Sequence, residues 1–459
     1  MAQAAKKIVI CGAGIAGVAA AYYLAVEYGH ADVVLVEAAD PLSLTSDKST
    51  EGYRNWWPGP DQAMTAFMNR SIDLIEAIAR ATGNRIAMNR RGYLFATAEP
   101  STVARLEQLA RTAEQLGTGP VRVHADRSSY YRPPAATGFE AAPTGADIIT
   151  EPTLIRRHFP QLAPATVAVL HARRAGWLSA QQLGMVMLEG ARAKGGVKLL
   201  RATVVGVSLA GGRVNAVEIE QGSERQSLPA DAFVIAAGPM QKEIAALIGV
   251  DLPVFAERHL KISFQDRLGA VPRGSPMLIW LDRQHLPWSE EERAVLAAEP
   301  ETRWLLQEFA AGVHARPEGG GERGTLLLLF NYEAGATQVV FPLPEAPHYA
   351  EIALRGAARM VPALAAYFGA GVRPFIDGGY YVKTRENRPL IGPLPVEGAY
   401  ITGAFSGFGV MAACAAGDLL ARHISAAALP NYAPAFLLER YGEPAYQARL
   451  AGWGDGGQL

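Results

Sequence analysis

Lys7-Ile8-Val9-Ile10-Cys11-Gly12-Ala13-Gly14-Ile15-Ala16-Gly17 is the stretch on which the fold turns. The apolar residues up to Cys11 have the character of a buried strand, and an alanine-rich run to Glu27, stopped by Gly29, has the length of a helix. The glycines between them suit three separate jobs. Gly12 permits the tight turn, Gly14 lets backbone approach a pyrophosphate, and Gly17 allows close packing of helix on strand. The helix opens at Ile15 and Ala16, where unpaired N–H groups and the helix dipole favour a phosphate. Asp32-Val33-Val34-Leu35-Val36-Glu37 reads as a second buried strand, of the parallel-sheet kind. Its final carboxylate, twenty residues beyond Gly17 and next to Ala38, is placed to accept hydrogen bonds from a ribose diol. A carboxylate there disfavours a 2′-phosphate, which argues against NADP. The segment predicts a dinucleotide site for FAD or NAD, and Cys11 reads as a small buried residue.

Composition bounds what the remainder can be. At 459 residues the chain has room for two or three domains. With 43 basic and 44 acidic side chains its net charge is −1, which removes the main physical reason to expect a nucleic-acid partner. A hydrophobic content of 49% with 19% charged residues argues for a deeply buried globular protein. Two cysteines are too few for a disulfide framework or a Cys-rich metal site, and the nine histidines show no metal-ligand spacing. The N-terminus lacks a signal-type region and no stretch of about 18 apolar residues follows, so no membrane span and a cytoplasmic location are expected.

Further along, apolar residues at helical spacing over 61–82 predict a helix stopped by Gly83. Short strands are expected at 85–89 and 92–96, a helix over 101–116, and irregular structure over 118–150. Ser179 is placed to cap a helix over 180–194, and Ala210-Gly211-Gly212-Arg213 marks a hairpin after a strand over 198–208. Phe233 to Gly238 reads as a strand ending in a turn. Strands alternating with loops are expected through 253–283, then a helical segment over 288–312 and a flexible joint at Gly319-Gly320-Gly321. Strands at 324–331 and 337–342, a helix over 346–367, a strand near 399–402 and a helix after Gly409 complete the pattern.

Four segments together resemble the D-amino-acid oxidase-like FAD-dependent oxidoreductases, the group that contains glycine oxidase and monomeric sarcosine oxidase. They are Gly12 to Glu37, Thr45 to Arg54, Gly176-Trp177-Leu178 with Thr203 to Val205 and Ala236 to Pro239, and Thr384 to Pro393 with Thr402 to Gly409. The resemblance implies FAD as cofactor and an α/β fold, in which a Rossmann-like FAD-binding domain is interrupted by a substrate domain with a mixed, largely antiparallel sheet and helices. It divides the chain into FAD-binding parts at 1–84, 166–245 and 376–459, and substrate parts at 85–165 and 246–375, the latter with a helical insert at 286–318. That insert would serve as a lid, a docking surface, a dimer contact or a neutral elaboration. The cofactor residues it implies are Gly12, Gly14, Ile15, Ala16, Gly17, Glu37, Ala38, Thr45, Ser46, Ser49, Thr50, Gly52, Val204, Ala237, Gly238, Gly379, Gly407, Phe408, Gly409 and Val410.

In such enzymes the flavin takes a hydride from a carbon bearing nitrogen, which needs neither a nucleophile nor a metal. Departures from the family pattern bear on the substrate. Gly379 falls where sarcosine oxidase links its flavin through cysteine, which implies a flavin held without that bond; Cys414 reads as core. Trp57, Met411 and Tyr381 fall where relatives carry cationic carboxylate anchors, and Phe408 where a His is frequent. A desolvated carboxylate without a cation is costly. The substrate is then either a larger apolar amine or amino-acid derivative, or an acid held from elsewhere by Arg54, Arg258, Lys261, Lys383 or Arg385. Arg54, Tyr381 and Lys261 are the catalytic candidates; Trp56, Trp57, His259, Tyr380, Phe408 and Met411 are the substrate candidates. The strand at 325–330 lacks the lysine with which the family's oxidases activate oxygen, which leans towards another acceptor unless Lys261 substitutes. Oxidation of a hydroxy acid, and a non-catalytic flavoprotein, are the alternatives.

Overall fold

The computed structural model describes residues 6–319, 324–333 and 335–453. Of the expected joint, Gly319 is described while Gly320 and Gly321 lie outside the described residues, as do residues 454–459 of the last FAD-binding part.

Strand Ile8–Cys11 pairs in parallel with Val33–Glu37 on one side and Ala232–Ile235 on the other. Val197–Arg201 and Ala399–Gly403 extend these in parallel, and Leu390–Pro393 closes the edge antiparallel, giving six strands. Both faces are covered, as the continuous apolar runs require. Helices Ile15–Tyr22, Ala63–Ala81, Ala180–Ala193 and Gly409–Ile424 pack on one face in a single core. A three-stranded antiparallel sheet, Thr203–Ala210, Arg213–Gln221 and Glu224–Pro229, covers the other. Helices Ile15–Tyr22 and Gly409–Ile424 approach closely because Gly417 has no Cβ; one there would lie 2.7 Å from the Ala19 carbonyl oxygen.

A nine-stranded mixed sheet forms the second layer, ordered Phe375–Lys383, Phe255–Gln265, Thr325–Leu329, Val313–Glu318, Met277–Trp280, Tyr93–Thr97, Ala168–Ala172, Ala146–Ile149 and Val121–His124. Leu260, Ile262, Leu326, Leu328, Val313 and Ala315 point to one face and bury against helix Tyr349–Met360. With a period of two, the other face carries His259, Lys261, His314, Arg316 and Tyr381, and it is this face that meets the loop 45–54: Arg316 donates to the Thr50 carbonyl at 2.8 Å, and Lys261 to the Ser49 carbonyl at 3.0 Å.

Several expectations need correction. The helical insert expected over 286–318 contains only the helix Glu290–Ala298 and a 3₁₀ turn at Arg303–Leu306; Val313–Glu318 is an interior strand of the large sheet. The charged start of the segment masked the alternation that follows. Segment 118–150 is not wholly irregular, since Val121–His124 and Ala146–Ile149 form the far edge. Residues 85–89 and 337–342 form no strand. Strand Ala168–Ala172, assigned by sequence to an FAD-binding part, hydrogen-bonds within the large sheet.

Candidate active site

Gly12 (φ +103°) turns the chain off the first strand, and a Cβ there would lie 2.5 Å from the Ala236 carbonyl oxygen. A Cβ on Gly17 would overlap the carbonyl oxygen of Gly12. Gly17 therefore packs helix on turn and does not line the cavity. Gly14 is the helix N-cap without a side-chain cap, and Ser46 Oγ accepts the Ile15 N–H at 3.0 Å. Glu37 is fixed by backbone, its two oxygens accepting the N–H groups of Ala13 (2.8 Å) and Ala39 (3.0 Å). Each carboxylate oxygen has capacity for a further donor.

From these residues one cavity runs along the carboxyl end of the parallel sheet. Gly12, Gly14, Ile15, Ala16, Glu37, Ala38, Thr45, Ser46, Ser49, Val204, Ala237, Gly238, Gly407, Gly409 and Val410 line it, with Tyr380 and Tyr381. Of the other expected cofactor residues, Thr50 and Gly52 lie in the loop and strand behind it, Gly379 on the neighbouring edge strand, and Phe408 in the helical core. A Cβ on Gly52 would strike the Tyr93 hydroxyl, so its smallness serves packing. The lining residues Leu42 to Leu44, Ala202, Thr203 and Thr402 to Ser406 were not singled out as cofactor residues. A sequence signal did exist for the last group, a turn that bends through left-handed Ala404, Ser406 and Gly407 (φ +55°, +47°, +89°) into helix Gly409–Ile424. That helix also starts without a side-chain cap, so a second set of unpaired N–H groups faces the cavity.

A cradle with glycines that exclude side chains, a clamped carboxylate and two open helix N-termini fits an extended dinucleotide. Buried Thr402 Oγ1 has no partner on the protein. Gly12, Gly14, Ile15 and Ala16 would face the pyrophosphate and Glu37 the ribose of FAD, and Thr45, Ser49, Tyr381, Gly407, Gly409 and Val410 would flank its ring end. Burial pushes the Cys11 and Cys414 thiols up to about 12, as expected for core residues.

At the ring end the side chains change character. Tyr381 stacks on His259, ring centroids 3.8 Å apart, and lies against Gly407, where a Cβ would overlap its ring. Phe408, the next residue, meets Trp57 edge-on at 5.0 Å, and the Arg54 guanidinium lies 4.6 Å over the Trp57 ring while donating to the Trp56 carbonyl at 3.3 Å. The turn at 407–408 thus joins the Tyr381–His259 stack to the Arg54–Trp57 pair. Trp56 packs on Phe95, and Trp57, Phe408 and Met411 lie in the helical core; these, with Arg54 and His259, stand behind the cavity lining and not in it.

His259 Nε2 is 3.3 Å from Glu257, which also accepts from Lys383 at 2.9 Å. Burial alone would raise the Glu257 carboxyl, but those two partners hold it down at about 2. Burial lowers His259 despite Glu257, so its ring is neutral, with Nε2–H towards the carboxylate and a buried, unpartnered Nδ1. Burial also lowers Arg54 and Lys261, and pushes the Tyr381 hydroxyl up to about 12. Arg258 is paired with Glu333 at 3.1 Å, which ties that candidate anchor to the surface. His314, which sequence reading missed, presents its Nδ1 2.6 Å from the Gly312 carbonyl; burial, with Arg54 and His259 nearby, takes it down to about 4. Its strand was read as part of a helical segment, so its face was invisible. Among the described residues no cluster of His, Cys, Asp or Glu could hold a metal, and no helix is long and apolar enough to cross a membrane.

Comparison with known proteins agrees with this geometry. A family described as "DAO: FAD dependent oxidoreductase" matches residues 7–423. Human mitochondrial dimethylglycine dehydrogenase is 28% identical over 273 residues, covering 59% of this chain and 28% of that protein. A D-amino acid dehydrogenase of Allorhizobium ampelinum is 25% identical over 280 residues, covering 54% and 64%. The chain spans a third or less of the length of the dimethylglycine dehydrogenases it matches. Among solved structures, L-proline dehydrogenase from P. horikoshii superposes with TM-score 0.72 at 20% identity, covering 95% of this chain and 98% of that one. Glycine oxidase from Geobacillus kaustophilus gives 0.70 at 17%, with coverages of 95% and 98%. At these identities the likeness is one of fold.

Proposed function

This chain belongs to the FAD-dependent oxidoreductase family, and from that premise we propose that it oxidises the C–N bond of an amine or amino-acid derivative to an imine. FAD, when bound, supplies the hydride acceptor. The observation that carries the reading is His259: a neutral, buried imidazole whose Nδ1 lacks a partner, stacked behind Tyr381, which lines the ring end of the cavity. A buried acceptor without a donor costs about 1–3 kcal/mol, and a substrate N–H would satisfy it.

His259 Nδ1 takes the amine proton, with Glu257 stabilising the charge on the ring through Nε2. Tyr381, neutral throughout the working pH range, stacks on that ring and fixes its plane. Arg54 and Trp57, packed behind Phe408, add a guanidinium on an aromatic face, which suits an amino-acid derivative with an apolar substituent. Tyr381, which lines this end, keeps bulk water from the reacting carbon. The free, buried thiols suit a cytoplasmic setting.

The test is the visible spectrum of the purified protein under anaerobic conditions, titrated with primary amines, N-methyl amines, amino acids and hydroxy acids. Bleaching of a flavin band by a nitrogen compound is expected, with His259→Ala slowing it at unchanged flavin content. Bleaching by a hydroxy acid alone would replace the reading with C–OH oxidation.

A further inference from the structure

A second cavity adjoins the first, and Leu44 and Thr45 line both. Glu37, Gly12, Gly14, Ile15 and Ala16 mark the ribose and pyrophosphate end of the first, so this shared wall stands at the ring end. The second cavity opens over the edge of the nine-stranded sheet, where Gly378 and Gly379 are consecutive in strand Phe375–Lys383. A Cβ on Gly378 would lie 2.5 Å from the His259 carbonyl oxygen, and one on Gly379 3.4 Å from Thr45. Because neighbouring residues of a strand face opposite sides, two glycines in succession leave a notch through both faces of the edge. Phe341 and Ile376 form the mouth, 44% and 39% exposed; Val340 and Phe375 beside them are exposed as well. An exposed apolar rim around a cavity marks a site for an apolar ligand.

One cation projects into it. Lys48 Nζ donates to Asp47 at 2.7 Å and lies 3.4 Å from Asp377, which leaves a third N–H. Burial would lower Lys48, but both carboxylates outweigh it and raise it, so it is an ammonium. Asp47 is partly exposed and connects this group to solvent.

We propose that this cavity binds a quinone that withdraws electrons from the bound flavin; the proposal rests on the FAD reading above. A quinone combines what the walls ask for, apolar ring faces between Phe341 and Leu260 and a carbonyl oxygen at the Lys48 N–H. The balance closes. The reduced flavin anion loses two electrons and one proton, Lys48 gives the second proton to the quinone oxygen, a hydroquinone leaves, and Lys48 is reprotonated from water through Asp47. The amine substrate is held separately, on the Tyr381 side of the first cavity.

The test titrates the FAD-loaded protein with a one-isoprene ubiquinone by calorimetry, which needs no knowledge of the amine. Ile376→Trp, which fills the mouth from an exposed edge position, raises the Kd about tenfold or more at an unchanged flavin spectrum. Lys48→Met raises it about fivefold, and Lys48→Arg restores it. After anaerobic photoreduction, re-oxidation by the quinone slows in both weakened variants. An unchanged Kd in Ile376→Trp with an intact flavin band overturns the proposal and leaves the amine reading standing. Slowed bleaching by amines with unchanged quinone binding overturns it too, making the cavity a substrate entrance. A protein that carries no flavin overturns both readings.

Discussion

The glycine-rich end and the Tyr381 end of the main cavity are built by opposite means. At the first, backbone forms the surface and side chains are excluded: Gly12 and Gly17 tolerate no Cβ, and Glu37 is clamped by the Ala13 and Ala39 N–H groups. At the second, side chains from distant strands build the wall and its backing, with Tyr381 on the cavity and Arg54, His259 and His314 behind it. Arg54 comes from Gly52–Arg54, His259 from Phe255–Gln265, His314 from Val313–Glu318 and Tyr381 from Phe375–Lys383. The first end is rigid because it has no rotamers to choose among. The second stores several buried polar groups whose states depend on one another, which suits proton handling and makes it the more sensitive to pH.

Gly17→Val should have the largest effect. Its side chain has no space against the Gly12 carbonyl, and the overpacking costs about 3 kcal/mol or more, with loss of flavin absorbance in the purified protein. A yellow, stable Gly17→Val would show that the turn is not the rigid element described. Arg54→Met sharpens the contrast from the other end. The flavin band should persist while kcat/KM for the reactive amine falls about a hundredfold, the loss of one charged contact in the transition state.

Acid should separate the two ends next. His171, on strand Ala168–Ala172 of the large sheet, is driven down to about 3 by burial, so the unfolded chain takes its proton first, below its ordinary value of 6.5. Stability therefore falls as pH drops from that value towards 3. Glu257, held at about 2 against an ordinary 4.5, adds stability that is present above 4.5 and lost between 4.5 and 2. Urea midpoints followed by tryptophan fluorescence should decline steadily below about pH 6.5; a flat profile down to pH 4 would remove the buried, neutral His171.

The smallest effect compares two helix caps. Ser179 Oγ accepts the Gln182 N–H at 3.2 Å, and its helix Ala180–Ala193 is part of the core behind the cofactor cavity. Ser289 makes a full capping box on Glu290–Ala298, a helix with no buried residue. Ser179→Ala should cost about 1 kcal/mol in urea denaturation, while Ser289→Ala should cost less than about 0.5 because that helix frays without unfolding the rest.

Legibility followed the same division. The strand–turn–helix at 8–22, the acid at Glu37, the cap at Ser179 and the hairpin at 210–213 could be read because each is set by residues adjacent in the chain: a glycine where a Cβ has no room, a hydroxyl three residues before the N–H it accepts. The large sheet was legible only in part. Val313–Glu318 lay behind a run of glutamates that imitates a helix start, and Val121–His124 and Ala146–Ile149 were hidden among Pro and Gly. Arg54 and Tyr381 could be singled out by likeness of motif, yet nothing in the chain brings Tyr381 onto His259 or turns Met411 and Trp56 away from the cavity. Sequence alone determined the strand–turn–helix at 8–22 and the acid at Glu37, because a turn glycine and the strand and helix beside it are set by residues adjacent in the chain. Only the tertiary structure decided which polar side chains share one wall and in what protonation state, because antiparallel register sets neighbours and burial sets charge, and both depend on residues far apart in the chain.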